Sequence, residues 1–265
     1  LLLLSGLGLS PASKGFLGID IFFVIAGFVG TKEILKEYRK NAKHNRGYGW
    51  VSLADYYKRR VVYFVFSALL VLASVVFIVR FTNDAEYISR VTTDAIWSAF
   101  MMANVHYMQQ GIDFLASTSK STPLLNFWAA STYVQVMLVY PLLVLASLGF
   151  KKFRINNKRV RHRKRAVYAL SAIAAITVII TTVEMTFEPK TAMFTASARL
   201  ADFAIGGFFA AIRINELSFG RQSLILTRIG ALMILVFSPF LFNEVEAHIS
   251  SLIIAITAGF FLASH

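Results

Sequence analysis

Residues 122–145 read TPLLNFWAASTYVQVMLVYPLLVL, an apolar run long enough to cross a bilayer that nevertheless holds Asn126, Ser131 and Gln135. Hydrocarbon offers no water to backbone N–H and C=O groups, so a stretch of this kind has to satisfy them internally, as a helix. Helical spacing then places Ser131 and Gln135 one turn apart on one face, with Trp128 seven residues before Gln135 and close to that face. Polar side chains at that depth are costly and need partners or a task. The segment is predicted to line a polar interior within a membrane protein.

Composition extends this reading to the whole chain. Of 265 residues 57% are hydrophobic and 15% charged, and the mean hydropathy is +0.62, well away from a soluble domain. An all-α, polytopic transmembrane bundle of about eight to ten helices is expected, forming a single domain over residues 1–265. A formal net charge of +13 in a soluble protein would suggest nucleic acid. Here the basic residues gather in two blocks, 36–60 and 151–165, between apolar runs. The excess of Lys and Arg in cytoplasmic loops accounts for that pattern, placing both blocks inside the cell with membrane lipids, not nucleic acid, as partners. With no cysteine, neither a disulfide framework nor a thiolate metal site can form, and no metal is expected. The chain begins and ends inside apolar runs, so both ends are expected to be truncated.

In chain order, residues 1–4 form the outer end of a first span and 5–14 a loop of turn-formers, followed by spans at 16–35, 61–79, 124–150, 166–183, 194–212, 223–242 and 249–262. Outer loops are expected at 83–94, 184–190 and 243–247. Keeping both basic blocks on one side leaves residues 95–107, a short run interrupted by Asn104 and His106, as a partial, re-entrant or interfacial helix on the outer side. The alternative is that it crosses and inverts everything downstream. His106 reads as an interfacial histidine, since no second ligand has metal spacing with it. Asp20, Arg199 and Asp202 lie inside spans. Arg199 and Asp202, three residues apart, are expected to pair, which is more often structural than catalytic. For Asp20, a functional role and the packing of a glycine-lined helix stand level.

Four motifs then bear on family. Residues 15–30 (GFLGIDIFFVIAGFVG), Tyr56-Tyr57-Lys58-Arg59-Arg60, the 122–141 segment with Pro123, Trp128, Gln135 and Pro141, and residues 199–207 (RLADFAIGG) occur in the order found in the membrane-bound acyltransferase-3 superfamily. The chain resembles a divergent member of these bacterial envelope O-acyltransferases. The resemblance implies acyl-coenzyme A as donor, with Lys58, Arg59 and Arg60 meeting its phosphates. Fixing orientation and touching anionic lipid would explain the same three residues. It further implies an envelope glycan or glycolipid as acceptor, and a substrate groove that would include Trp128, Ser131, Arg199 and Asp202.

The departures from the family pattern concern proton chemistry. The family's first-span histidine falls near Ser5 or Gly6, the histidine of the 122–141 segment is Asn126, and its two glutamates are Tyr133 and Val134. An arginine expected after Arg60 is Tyr63 and the following proline is Phe66. Acyl transfer to a hydroxyl needs a base and donors for the oxyanion. Asn126, Ser131, Gln135 and Trp128 can donate hydrogen bonds, but none is a base, which leaves Asp20, Asn126 and Gln135 as catalytic candidates. Two functions follow: an integral-membrane O-acyltransferase with a degenerate catalytic set, or a non-catalytic relative serving as a binding or scaffolding subunit. In either case a partner protein chain could restore the missing chemistry.

Overall fold

The computed structural model of the chain describes residues 17–44, 51–82, 84–112, 122–148, 159–212, 228–237 and 247–264. Among these the fold is all-α, with no strand. The expected loop at 5–14, the outer turn at 243–246, residues 151–158 of the second basic block and residues 45–50 of the first lie outside the described residues. Among the described residues three helices are long and apolar enough to cross a membrane, Leu53–Phe81, Phe127–Leu148 and Arg165–Phe187. Arg228–Phe237 and Ile249–Ala263 are shorter apolar helices.

The chain divides into two compact units. The first gathers Leu1–Val51, Pro141–Val178 and Leu200–His265. Its helix α1, Leu17–His44, carries GIDIFFVIAGF on its buried part and packs along the C-terminal helix Ala247–Ala263. The core is Val24, Ile205, Ala255 and Ala258, flanked by Ile21, Phe209 and Leu252. Glycines set the spacing. A Cβ on Gly27 would collide with the backbone of Phe203, and one on Gly206 would collide with the Val24 carbonyl. Helix backbones can approach this closely only where no side chain stands between them. Phe23 and Phe203 fill the flank at a centroid distance of 5.5 Å.

The second unit comprises Ser52–Tyr140 and Ile179–Arg199. Helix α2, Leu53–Tyr57, is N-capped by Ser52, whose hydroxyl accepts from the Asp55 N–H at 3.3 Å. It continues through a π turn, Lys58–Val62, into α3, Tyr63–Thr82. The helix thus starts earlier than the span at 61–79 read from hydropathy, because one wide turn carries the ladder past the basic cluster without ending it.

The expected outer loop at 83–94 is instead mostly helix. Asp84 caps α4, Ala85–Ala99, with its carboxylate accepting from the Tyr87 N–H at 2.8 Å. Val91 and Ala95, four apart, then pack with Leu72, Val79 and Leu124. The partial helix foreseen at 95–107 is likewise two helices, broken at residues 100–102 where Met101 adopts a φ of 55°. Beyond the break runs α5, Ala103–Gln109. After a turn over residues 123–126, α6, Phe127–Leu148, carries Pro141 inside it. The unit is completed by the C-terminal end of α7, Arg159–Phe187, the short α8, Pro189–Ala192, and the start of α9, Ala196–Ala211.

Candidate functional site

Met101 explains the first polar cluster. A left-handed residue takes its carbonyl out of the helical ladder, and a buried carbonyl must find a donor. Gln135 supplies it. Its Nε2 donates to the Met101 carbonyl at 2.9 Å and to Asn104 Oδ1 at 2.8 Å, which uses both amide protons. Asn104 Nδ2 in turn donates to the Phe194 carbonyl at 3.3 Å. One turn before Gln135, the Ser131 hydroxyl accepts from the Ala103 N–H at 3.2 Å. The polar face of α6 therefore holds the α4–α5 break in place, with both side chains engaged by protein.

A second cluster lies on the two helices that flank the break. His106 and Asp94 are buried, with Nε2 3.0 Å from Asp94 Oδ1. The other carboxylate oxygen, Oδ2, accepts from the Thr122 hydroxyl at 2.5 Å. Gln110 reaches the same imidazole nitrogen at 2.9 Å. One N–H cannot donate to Asp94 and also accept from an amide, so with Nε2 protonated Gln110 turns its carbonyl oxygen to the ring. Trp97 stacks on the imidazole, with centroids 5.1 Å apart and planes 12° from parallel. Tyr107 completes the group. Burial and then the Asp94 charge raise the pKa of its hydroxyl, so it remains a protonated donor. That hydroxyl approaches Asp94 and Thr122 without a well-aligned hydrogen bond.

The remaining candidates are placed as follows. Arg199 is 1% exposed and its guanidinium lies 5.6 Å over the Trp128 ring, while Phe194 meets that ring edge-on at 5.5 Å. Arg60 lies against the Tyr133 hydroxyl, at a position that the family resemblance fills with a carboxylate. Lys58 and Arg59 are exposed on the π turn. Asn126 is exposed in the turn before α6, its carbonyl accepting from the Ala129 N–H at 3.2 Å. Asp20 and Asp202 belong to the first unit and are buried. The second unit thus brings Ser131 and Gln135 into one network and Trp128 and Arg199 into one contact. Sequence reasoning passed over the Asp94–His106 pair, whose members are twelve residues apart across an unforeseen break. Among the described residues no three His, Asp or Glu side chains are grouped to hold a metal ion.

The chemistry available in the second unit includes a buried carboxylate–imidazole pair, and comparison with known proteins gives it a setting. The acyltransferase domain model of the acyltransferase-3 family matches residues 9–265. The chain is 26% identical over 263 residues to YrhL of Bacillus subtilis, covering 95% of this chain and 39% of that protein. To the peptidoglycan O-acetyltransferase OatA of Listeria monocytogenes it is 26% identical over 238 residues, 88% of this chain and 36% of that one. To the O-acetyltransferase OatA of Staphylococcus aureus it is 31% identical over 132 residues, half of this chain and 20% of the other. The chain thus spans well under half the length of these relatives. No solved structure matches it. With the domain model running from residue 9 to the last residue, the chain belongs to the acyltransferase-3 family.

Proposed function

We propose that the chain is the membrane-embedded domain of an O-acyltransferase, moving an acyl group from a cytoplasmic thioester such as acyl-coenzyme A to a hydroxyl of an envelope glycan or glycolipid. Family membership over nearly the whole chain carries this reading. The Listeria relative is a peptidoglycan O-acetyltransferase by name, which makes peptidoglycan the first acceptor to try. The wide apolar surface of α3, on which Phe66, Phe77 and Phe81 are each more than 60% exposed, supports placement in lipid. Lys58 and Arg59, exposed on the π turn at the head of that helix, suit the phosphates of the donor on the cytoplasmic side. In this topology the basic stretches 36–60 and 151–165 face the cytoplasm.

A second reading has one observation in its favour. Gln135 spends both amide protons on the α4–α5 break and Ser131 caps it, so the segment that most resembles the family is engaged structurally. A non-catalytic relative that keeps the fold as a binding or scaffolding subunit would look the same there. Purified chain incubated with labelled acyl-coenzyme A and peptidoglycan fragments separates the two. Transfer above the no-protein control supports the enzyme. Its absence from correctly folded protein supports the scaffold. Cysteines placed at Asn45 and Lys158 should resist labelling from outside the cell, and outside labelling at Lys158 would overturn the topology.

A further inference from the structure

A cavity of about 200 Å³ opens beside Asp94 in the second unit, walled by Ser89, Thr93, Tyr107, Gln110 and Arg90. Sites for drug-sized ligands run to roughly 300–1,000 Å³, so this one suits a single ring or the end of a longer chain. Its lining mixes hydroxyl and amide groups with the apolar Ile112 and Leu125, and among the described residues its one carboxylate is Asp94. That carboxylate disfavours an anion. A cation would meet Arg90, which lies over the Tyr87 ring and is 3.8 Å from Glu86. A neutral, hydroxyl-bearing ligand meets neither penalty, and it can donate to Asp94 while accepting from the Tyr107 hydroxyl.

We propose that this cavity receives a hydroxyl of a polyhydroxylated acceptor, that Asp94 takes the proton of that hydroxyl, and that His106 positions the carboxylate from behind. Each Asp94 oxygen is held by one neighbour, Oδ1 by His106 and Oδ2 by Thr122, and a carboxylate has about four acceptor sites, so capacity remains for a substrate donor. His106 does not line the cavity. It acts through Asp94, on a ring fixed by Trp97. The transfer half of the inference rests on the acyltransferase reading. There the acceptor oxygen bonds to the thioester carbonyl carbon, its proton passes to Asp94, the C–S bond breaks, and the departing thiolate takes the proton back. A base in this position would supply what Asn126, Tyr133 and Val134 cannot.

The test uses the full chain in lipid nanodiscs with a soluble β-1,4-linked N-acetylglucosamine disaccharide as probe. Binding is followed by saturation-transfer NMR and transfer by labelled acyl-coenzyme A. The wild type should bind the disaccharide, and Thr93→Val and Asp94→Asn should each weaken binding by about tenfold. His106→Gln should leave the Kd within about twofold while transfer falls by about a hundredfold or more, the usual scale for general acid–base catalysis. Should Asp94→Asn fail to fold, Thr93→Val decides the cavity, because Thr93 is exposed and outside the Asp94–His106 hydrogen bonds. Absence of binding by the wild type, or equal binding by wild type and Thr93→Val, overturns the site. Transfer that survives both His106→Gln and Asp94→Asn overturns the proton role and leaves the acyltransferase reading standing. Binding as expected with no transfer by the wild type keeps the site as a glycan-binding pocket and removes both the proton role and the acyltransferase reading.

Discussion

Each unit of this chain adds a different device to its apolar core. In the first, α1 and α9 meet through Gly27 and Gly206, with backbone against backbone and Val24, Ile205 and Ala255 around them. In the second, the helices are joined by side-chain polarity: Gln135 to Asn104, His106 to Asp94, Arg199 to Trp128. The first arrangement leaves no room for a ligand at the seam, while the second keeps acceptors, donors and a cavity within reach of each other. A glycine seam is sensitive to volume, a polar lattice to the loss of a partner, and that difference can be measured.

The largest effect is expected at the seam. Gly206→Ala places a methyl group against the Val24 carbonyl and the Phe28 N–H, where neither neighbour is a flexible side-chain end. A loss of about 3 kcal/mol or more, at the upper end of overpacking costs, should remove the monodisperse peak in detergent size exclusion. A normal peak would mean that the helices separate easily, and the contrast between the units would then lose its basis.

Next comes the lattice. Gln135→Leu strands the Met101 carbonyl and should cost about 1–3 kcal/mol, the penalty of an unsatisfied buried acceptor. In a double-mutant cycle with Asn104→Leu, thermal stability should reveal a coupling of about 0.6 kcal/mol, the average found within a membrane bundle, and no more than about 1.7 kcal/mol. Strict additivity would separate the two residues. Arg199→Met paired with Trp128→Leu should couple by about 0.5–2 kcal/mol, the scale of a cation over a ring. If Arg199 and Asp202 also form the pair expected from their spacing, Arg199→Ala with Asp202→Ala should be milder than either alone. Asn126→Ala, at an exposed turn position, should stay within about 0.5 kcal/mol of wild type. A large loss of transfer at unchanged stability would assign Asn126 a part in the chemistry.

How much of this was legible in the sequence depended on which force fixed each feature. Helices at 127–148 and 165–187 follow from apolar length, and the shared face of Ser131 and Gln135 follows from helical spacing. The break at 100–102 was hidden because Phe100, Met101 and Met102 include neither Gly nor Pro, the usual markers of such a turn. A Met with positive φ is held there by Gln135, 34 residues downstream, and no local rule registers such a distant donor. Residues 85–94 of α4 read as a loop because their charged residues outweigh the Asp84 cap. With Asp94 assigned to a loop and the chain read as one helix from 95 to 107, nothing folds His106 back onto Asp94, and the cavity beside that carboxylate is not foreseeable.

The π turn at Lys58–Val62 bears on how this chain can vary. A π turn holds one residue more than the α-helical ladder needs. Deleting a single residue from 58–62 would restore regular geometry and leave the helix faces on either side in register, because the wide turn is what absorbs the surplus residue. Tyr56 and Tyr57, whose hydroxyls bond to Met137 Sδ at 3.3 Å and the Leu138 carbonyl at 2.8 Å, would keep their places on α6. A one-residue deletion is therefore tolerable here, whereas one within regular α3 would rotate the upstream face by about 100°. A relative one residue shorter across this turn would seat its aromatic pair on the same part of the helix surface, while its basic residues would correspond to Lys58, Arg59 and Arg60 only after a shift of one position.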